Sequence, residues 1–397
     1  MCKMINYYKL TKKERLAFKV GLFTAYYACR RNKRGTHNAL HFELNQEEEI
    51  ASLCEDILSG TYQVGRSRAF IVLEPVQREI FAADFRDRVV HHYIIAHLEP
   101  IFERLFLHDS YSCRTGKGTH FGVSRVDKFI RSCSQNYTTD CYILKIDIQG
   151  FFMNIRKEIL FEKVISIIKQ RYKGFDKQLL MDLCRKVILH NPVPDCIVKG
   201  PQSNWEGLPS NKSLFSTGGR IGIPIGNLTS QVFANLYLND FDQFVKRELK
   251  QKYYGRYVDD CILIHPSKEE LKRLIPLLSS FLEENLGLRL HPKKIYLQHY
   301  TKGVAFTGVF IKPHRKYVGR RIQKKMSKAM LNDYRPVYRD DDQLTKENMA
   351  HWISSVNSYL GICKHYDTYR LRESLVRRFA NDPVVVFDKA MCVVKQA

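Results

Sequence analysis

Long apolar runs are missing from this sequence of 397 residues: no stretch approaches the ~20 residues that a membrane-spanning helix requires. The first residues, MCKMINYYKLTKKERLAF, also lack the apolar segment of a secretion signal. The eleven cysteines form no C-x-x-C pair and no Cys/His cluster at zinc-binding spacing. We therefore expect a cytoplasmic protein with reduced cysteines, no structural zinc and no membrane partner.

Acidic residues are few compared with basic ones, 41 against 64, and the formal net charge is +23. Such an excess of positive charge points to a polyanionic partner, and nucleic acid is the first candidate. The hydrophobic share of 44% is that of an ordinary globular protein, so disorder is not expected. The length fits two or three packed subdomains.

Two glycine-containing stretches fail the tests for nucleotide-binding loops. SYSCRTGKGTHFGV has Tyr111 where a Walker A loop requires glycine, and Gly118 where serine or threonine should follow Lys117. The GIPIG stretch has the wrong spacing for a dinucleotide fingerprint. The first stretch is better explained as a flexible basic loop, in which Arg114 and Lys117 contact a nucleic-acid backbone.

Hydrophobic periodicity predicts both helices and strands. Helices are expected over residues 7–60, residues 156–190, the amphipathic segment VFANLYLNDFDQFVKREL, residues 268–285 and the basic tail from about Arg320. Short strands are expected in RSRAFIVLEP, REIFAADF, LGLRLHPKKIYLQ and VAFTGVFI. Residues 191–220, rich in Pro, Gly, Ser and Asn, are predicted to form a long loop, and loops of this length are usually functional.

Two stretches place acids beside apolar, strand-like runs. CYILKIDIQGFF holds Asp147 inside a mainly apolar strand, and YGRYVDDCILI has the pattern of a β-hairpin with Asp259 and Asp260 at its tip. A buried strand acid needs a partner, because desolvating it costs several kcal/mol. Acidic hairpin tips are mostly solvated turns. If the strands are adjacent, however, three carboxylates converge and would hold two magnesium ions roughly 4 Å apart, as in polymerases.

These two stretches carry a family resemblance. KIDIQGFF and YVDD resemble motifs A and C of reverse transcriptases, and further blocks follow in that family's order along nearly the whole chain. Four of these blocks resemble, more narrowly, the reverse transcriptases of diversity-generating retroelements: REIFAADFRDRVVHH, SYSCRTGKGTH, GIPIGNLTSQVFANLYLNDFD and LGLRLHPKKIYLQ. Most reverse transcriptases related to group II introns have QGxxxSP where this chain has IGNLTSQ, so Ile225 and Gln231 point to the subfamily.

The resemblance implies an α+β, right-hand polymerase fold. Residues 1–60 would form a helical N-terminal extension, residues 61–320 the fingers and a palm with an antiparallel sheet, and residues 321–397 a helical thumb. The segment after VAFTGVFI is too short for an RNase H or HNH nuclease domain, which argues against an intron-encoded or retroviral polyprotein.

The implied function is that of a bacterial or phage-encoded RNA-directed DNA polymerase. It would use deoxynucleoside triphosphates to copy a template-repeat RNA into adenine-mutagenised cDNA that diversifies a target gene by mutagenic retrohoming. An oligomeric accessory variability protein would be its partner. The alternatives are a related bacterial reverse transcriptase in phage defence, of the retron or abortive-infection type, and a non-enzymatic RNA-binding module. The first lacks support from an NAxxH motif, which the chain does not contain.

Carried over by position, Asp147, Asp259 and Asp260 would be catalytic and bind two Mg²⁺ ions, or Mn²⁺ in their place. The carbonyl of Ile148 would supply an additional metal ligand. The second aspartate of such a pair can also support the first without touching the metal, so a direct bond from Asp260 is left open.

Basic side chains would handle the triphosphate. Arg78 resembles the fingers arginine that binds it, with Arg66 and Arg68 as less firmly aligned assistants. Lys294 falls on the motif D lysine that protonates or balances the leaving pyrophosphate, although Lys293 would take this place if the register shifts by one. An ordinary solvated face is the alternative explanation for the lysines.

Phe152 resembles the aromatic gate that lies under the incoming sugar and rejects a 2′-hydroxyl. Strand parity would instead put Phe151 on the face of Asp147. Gly150 can break that parity, so we prefer Phe152, with a core position as the alternative.

Ile225, Gly226 and Gln231 are the remaining predicted substrate-binding residues. An aliphatic Ile225 in place of an amide removes a hydrogen-bonding group near the nascent base pair, and a loss of ~1.4 kcal/mol of discrimination raises misinsertion about tenfold. We expect Ile225 to contribute to errors opposite template adenine. In the thumb, Arg377 and Arg378 are expected to contact nucleic acid without sequence preference.

Overall fold

The computed structural model describes residues 7–31, 37–74, 76–334 and 342–396. The chain divides into two compact units. The first comprises Met1–Arg114, Ile146–Gln251 and Leu274–Ile295; the second comprises Thr115–Lys145, Lys252–Arg273 and Tyr296–Ala397. Each unit is therefore assembled from segments that are distant in the sequence.

Helices account for much of the described chain. The α-helices are α1 (Lys12–Arg30), α2 (His37–Leu44), α3 (Gln46–Leu58), α4 (Phe85–Glu103), α5 (Thr119–Cys133), α6 (Phe151–Asn154), α7 (Lys157–Arg171), α8 (Lys177–Leu189), α9 (Leu228–Tyr237), α10 (Asn239–Gln243), α11 (Lys268–Leu286), α12 (Arg320–Leu331), α13 (Asp342–Cys363) and α14 (Tyr369–Val376).

The strands are short. They are β1 (Arg68–Val72), β2 (Arg78–Ala82), β3 (Tyr142–Asp147), β4 (Ile197–Val198), β5 (Tyr253–Tyr257), β6 (Asp260–His265), β7 (Tyr296–His299), β8 (Val304–Phe306), β9 (Val309–Lys312), β10 (Arg315–Val318), β11 (Val385–Phe387) and β12 (Val394–Gln396). Their sheets have the orders β2-β1-β4, β5-β6-β3-β7, β10-β9-β8 and β11-β12.

Helix α4 forms the centre of the first unit. It begins after Asp84, whose carboxylate caps the helix by accepting a hydrogen bond from the Arg86 N–H (3.0 Å). It packs against α1, α8 and α9, and it buries apolar side chains along most of its length. The N-terminal helices are thereby joined to the rest of this unit.

The second unit contains most of the sheet β5-β6-β3-β7, up to Lys145 of β3. Strands β5 and β6 form an antiparallel hairpin with Tyr257 opposite Asp260, and β3 pairs antiparallel with β7. Helix α5 packs against β5 and β6. The sheet β10-β9-β8 and helices α12 to α14 complete this unit, and Trp352, Val356 and Leu360 of α13 lie in its helical core.

Several predicted elements are confirmed. The N-terminal region is helical, residues 268–285 are helical, and the acid-bearing stretches form strand β3 and the hairpin β5-β6. The long loop over residues 191–220 is also confirmed, apart from the two-residue β4 and short 3₁₀ turns.

Three local predictions were wrong. VFANLYLNDFDQFVKREL is not one amphipathic helix: it divides into α9, α10 and a π-helical turn, and α9 is buried on most sides because it packs against both α4 and α7. LGLRLHPKKIYLQ forms a regular strand only at its end, in β7. The tail is not wholly helical either, because valine-rich segments form the hairpin β11-β12, where β-branched residues are favoured.

No helix in the part of the chain that the structure describes is long and apolar enough to cross a membrane.

Asp87 on α4 fixes the segment that leads into β1. Its carboxylate accepts hydrogen bonds from the Tyr62 hydroxyl (2.7 Å) and the Gly65 N–H (2.9 Å). Burial raises the pKa of Asp87 from 3.8 to about 6, against the opposing effect of these hydrogen bonds. Between these two pH values the unfolded chain is ionised at this position while the folded chain is not, so the folded state loses relative stability as pH rises.

We expect the free energy of unfolding of the wild type, relative to Asp87→Asn, to increase as the pH falls from about 7 to about 4. The change should reach up to about 3 kcal/mol. Urea denaturation at several pH values measures it, with Glu48→Gln, an exposed acid on α3, as the control. A wild-type advantage that does not vary with pH would contradict the assignment.

Candidate active site

Asp147 is the last residue of β3, and its carboxylate is paired with a lysine. The Lys294 ammonium lies 3.0 Å from both Asp147 carboxylate oxygens. The Asp147 side chain is 20% exposed and the Lys294 side chain 46% exposed. The partner predicted for the strand acid is therefore present, and the amine can be reached from solvent.

The loop that carries Lys294 is attached to the same strand end. The His291 N–H donates to the Asp147 carbonyl (2.8 Å), and the His291 carbonyl accepts from the Lys294 N–H (3.0 Å). The neighbouring Lys293 instead donates its N–H to the His291 ring (3.2 Å). Of the two candidate lysines, the structure places Lys294 on Asp147; its part in the reaction stays a prediction.

Ile148 faces Leu290 in an isolated antiparallel bridge. The two hydrogen bonds of this bridge are formed by the neighbouring residues. The Gln149 N–H donates to the Arg289 carbonyl (2.9 Å), and the His291 N–H donates to the Asp147 carbonyl. In an antiparallel ladder such a residue directs its own carbonyl away from the partner strand. The Ile148 carbonyl takes part in neither bond of the bridge.

The YVDD hairpin turns through Val258 and Asp259. Val258 has φ +56°, in the left-handed region that a β-branched residue rarely adopts, so the turn is strained. Asp260 is the first residue of β6, and its carboxylate lies 3.0 Å from the Lys145 ammonium. Lys145 also donates to the Ala305 carbonyl (2.8 Å). The turn thus holds its two acids in different settings, Asp259 within the loop and Asp260 paired with a lysine.

Strand order brings the two acidic motifs into one sheet. In the order β5-β6-β3-β7, β3, which ends at Asp147, is the direct neighbour of β6, which begins at Asp260. Over residues 7–31, 37–74, 76–334 and 342–396, no three His, Cys, Asp or Glu side chains are grouped closely enough to hold a metal ion. The expected convergence of three carboxylates is therefore not seen, and the metal ligands stay predictions.

Phe151 and Phe152 open α6 directly after Gly150. Gly150 has φ +54°, and a Cβ built there would lie 2.6 Å from the Asn211 carbonyl oxygen, so a side chain is excluded. The left-handed residue breaks the strand alternation. Phe151 is buried, whereas Phe152 is half-buried and packs against a small apolar cluster. The sugar-gate role of Phe152 stays a prediction.

Ile225 packs against the same apolar cluster as Phe152. Its buried members are Ala69, Phe81, Met153 and Leu214, and the partly buried side chains packed against it include Phe152 and Ile225. The Ile225 carbonyl accepts a hydrogen bond from the Phe81 N–H (2.9 Å), which fastens the segment to β2. The structure therefore brings Phe152 and Ile225 to one site.

Gly226 and Gln231 are both exposed. Gly226 has φ +119°, and a Cβ there would lie 2.8 Å from Ile80, so only glycine fits without movement. The Gln231 side-chain oxygen accepts from the Cys113 thiol (3.2 Å). Sequence reasoning missed Asn227 between them: its side-chain oxygen accepts from the Ala83 N–H (3.0 Å) and holds this motif to the end of β2.

Arg78 begins β2 and is exposed, and it forms no ion pair with any residue that the structure describes. The next residue, Glu79, is buried and accepts three hydrogen bonds from the long loop, a feature that sequence reasoning missed. A signal was present, because Glu79 has the strand parity of the buried Phe81.

The predicted nucleic-acid contacts differ in their surroundings. The Arg114 side chain is only 5% exposed; it is paired with Glu103 and donates to the carbonyls of Leu107 and Ser110. Its geometry is that of a structural arginine. Lys117 lies 5.6 Å from the Phe121 ring centre. Arg377 and Arg378 are exposed, and Arg377 pairs with Glu373 (2.9 Å). None of the four roles is tested by these contacts.

Comparison with known proteins identifies the family. A family model described as "Reverse transcriptase (RNA-dependent DNA polymerase)" matches residues 77–311, more than half of the chain. The chain belongs to the reverse transcriptase family. This confirms the predicted class, an RNA-directed DNA polymerase, and the predicted α+β, right-hand polymerase fold.

The relatives are distant. Protein YkfC of Escherichia coli (strain K12) is 24% identical over 294 residues, 66% of this chain and 70% of that protein. The Putative COX1/OXI3 intron 2 protein of Saccharomyces cerevisiae is 20% identical over 304 residues, 62% of this chain and 32% of that protein. The solved structure of apo telomerase from Candida Tropicalis has a TM-score of 0.48 at 13% identity, covering 80% of this chain and 58% of that one. The chain thus spans about a third of the yeast protein and over half of the telomerase chain.

The contact between Lys294 and Asp147 predicts a difference between the adjacent lysines. If Lys294 has its predicted role as proton donor to the leaving pyrophosphate, Lys294→Ala should lower the rate of nucleotide addition at saturating dNTP about tenfold to hundredfold. Lys293→Ala, the matched control, should stay within about twofold. Single-turnover primer extension measures both rates. Equal losses from the two variants would remove Lys294 from its assigned role.

Proposed function

We propose that this protein is the reverse transcriptase of a diversity-generating retroelement, which copies a template-repeat RNA into adenine-mutagenised cDNA. The polymerase part rests on one observation above all: Asp147 ends β3 with Lys294 on its carboxylate, and β3 lies beside β6, the strand that opens at Asp260. We assign Asp147 to motif A, the hairpin β5-β6 to motif C and the loop that carries Lys294 to motif D of a polymerase palm.

The available donor groups fit a hard divalent cation. Reverse transcriptase domains generally use divalent metal ions, and the carboxylates of Asp147 and Asp259, with the Ile148 carbonyl, offer the oxygen ligands that Mg²⁺ prefers. Asp260 follows Asp259 in the chain and is paired with Lys145. Lysine ammonium groups 3.0 Å from Asp147 and Asp260 show that these carboxylates already stabilise positive charge. When bound, two Mg²⁺ or Mn²⁺ ions would activate the primer 3′-hydroxyl and neutralise phosphate charge.

The remaining site residues bind the incoming nucleotide or transfer a proton. Arg78, exposed at the start of β2, offers a guanidinium fork to the triphosphate. Phe152 lies under the sugar and excludes a 2′-hydroxyl. Lys294 holds a proton at its Nζ and delivers it to the leaving pyrophosphate.

The subtype is supported by the motif around Ile225. An aliphatic side chain takes the place of an amide, and it packs on the same cluster as Phe152. An apolar surface beside the nascent base pair offers no hydrogen bond that the correct pair makes and an incorrect pair lacks, so it discriminates poorly between them. Low discrimination suits an enzyme whose product is meant to carry mutations. The template-repeat RNA and an oligomeric accessory variability protein are the partners that this function requires, and the net charge of +23 suits the RNA.

Asp259→Ala should abolish extension of oligo(dT) on poly(rA) with Mg²⁺, by at least about a thousandfold, because a metal ligand is lost. Binding of the primer-template should remain within about threefold of the wild type. Asp140→Ala, an exposed acid that precedes β3, is the control. Extension that survives Asp259→Ala would overturn the metal assignment, and template binding without extension by the wild type would favour a plain RNA-binding module.

Ile225→Gln should lower misincorporation opposite template adenine about tenfold, because the amide restores a hydrogen-bonding group at the nascent pair. Sequencing of cDNA copied from a heteropolymeric RNA measures the error at each template base, with Ile225→Val as the matched control. An unchanged spectrum would exclude Ile225 as a cause of infidelity. If the wild type shows no excess of errors at adenines, a phage-defence reverse transcriptase becomes the better assignment.

A further inference from the structure

Glu79 is a buried acid with no place in the reaction described above. It is 1% exposed and lies on β2, directly after Arg78 and two residues before the buried Phe81. Strand alternation therefore turns Glu79 and Phe81 to the interior, and leaves Arg78 exposed. A buried carboxylate is strongly unfavourable unless donors surround it, so its partners must be part of the fold.

The partners of Glu79 all come from the loop over residues 191–220. The Trp205 indole N–H (2.9 Å) and the Ser213 hydroxyl (2.7 Å) donate to one carboxylate oxygen, and the Leu214 N–H (2.6 Å) donates to the other. Gln77, which directly precedes β2, donates to the carbonyls of Asn204 and Glu206. The loop is thus held at two places, residues 204–206 and residues 213–214.

The segment held by Glu79 reaches the residues assigned to the nucleotide. Leu214, whose N–H binds Glu79, is buried in the cluster on which Phe152 and Ile225 pack. The Asn211 carbonyl lies against Gly150, the left-handed residue that starts α6 and sets the direction of Phe152. A shift of this segment would therefore move both side chains.

We propose that Glu79 is a positioning residue for nucleotide selection, which acts by fixing the Asn211–Leu214 part of the long loop under Phe152 and beside Ile225. Its hydrogen bonds go to the long loop, so we expect it to act through that loop and not by direct contact with the nucleotide. The inference rests on the proposed roles of Phe152 and Ile225. Small displacements of such side chains have large kinetic effects, since a misplacement of about 1 Å can cost about a hundredfold in rate.

The two tryptophans of the chain allow loop docking to be observed directly. In a Trp352→Phe background, Trp205 is the sole tryptophan, and its selectively excited emission reports whether the half-buried indole remains hydrogen-bonded to Glu79. Glu79→Gln keeps an acceptor for Leu214 but turns an amide N–H toward the donors, so we expect Trp205 emission to shift to longer wavelength. Adding Trp205→Phe to Glu79→Gln in the natural Trp352 background removes the unmatched indole donor.

The kinetic test compares KM and kcat for dNTP and rNTP in single-nucleotide extension by the full chain. Glu79→Gln should raise the KM for dNTP and lower the dNTP/rNTP preference about tenfold, with the affinity for primer-template unchanged. The added Trp205→Phe should restore part of that preference. Ser213→Ala, which removes one donor only, should lower it about threefold and serves if the Glu79 variants do not fold.

Asp87→Asn is the matched control, because Asp87 is another buried carboxylate of the same unit that accepts from a tyrosine hydroxyl and a backbone N–H. It should leave the dNTP/rNTP preference unchanged. If Phe152→Ala and Ile225→Gln alter selectivity while Glu79→Gln and Ser213→Ala do not, the inference about Glu79 is wrong and the proposed function stands. If none of these variants alters selectivity, the assignment of Phe152 and Ile225 fails, and the inference fails with it.

Discussion

Negative charge at the ends of strands has to be balanced by positive charge, and the acidic motifs of this protein depend on that balance. Asp147 carries the Lys294 ammonium, and Asp260 carries that of Lys145, each at 3.0 Å. Lys145 lies two residues before Asp147 on β3, so one strand supplies both an acid and the counter-charge for another acid. Without its lysine, each of these partly buried carboxylates would lack a counter-charge, which is energetically unfavourable. Under the proposed function, the same carboxylates would bind divalent ions.

Buried acceptors perform a second task, the ordering of irregular backbone. Asn227 holds the IGNLTSQ motif to the end of β2 through the Ala83 N–H, Asp87 holds the segment before β1, and Glu79 holds the long loop. Irregular segments have no neighbouring strand whose carbonyls accept hydrogen bonds from their backbone N–H groups. A buried side-chain oxygen serves as the acceptor instead. Around Phe152 and Ile225, the protein is shaped by these acceptors as much as by its regular elements.

The residues predicted to be catalytic and those on which the proposed subtype rests lie in different places. The acids and the motif D lysine belong to strand ends and turns, where charge and turn chemistry leave a clear mark on the sequence. Ile225, Gly226 and Gln231 lie on one irregular segment, and each is held differently: Ile225 packs into an apolar cluster, Gly226 passes close to Ile80, and Gln231 contacts Cys113. The selectivity proposed for this segment would therefore rest on packing and close approach, and not on charge.

The amino-acid sequence by itself determined the local elements: the hairpin at YVDD, the strand through Asp147, helix α11 and the loop over residues 191–220. Each depends on periodicity or turn residues within a short window, and these act regardless of what lies opposite. Only the tertiary structure decided that Lys294 and not Lys293 reaches Asp147, that Arg114 is enclosed by Glu103, that α9 is buried on most sides, and that Glu79 anchors the long loop. The Glu79–Ser213 contact joins residues 134 positions apart. The sequence signals such a contact only through an acid on the buried face of a strand. Its hydrogen-bond donors, in a loop far along the chain, cannot be recognised until the fold brings them to the acid.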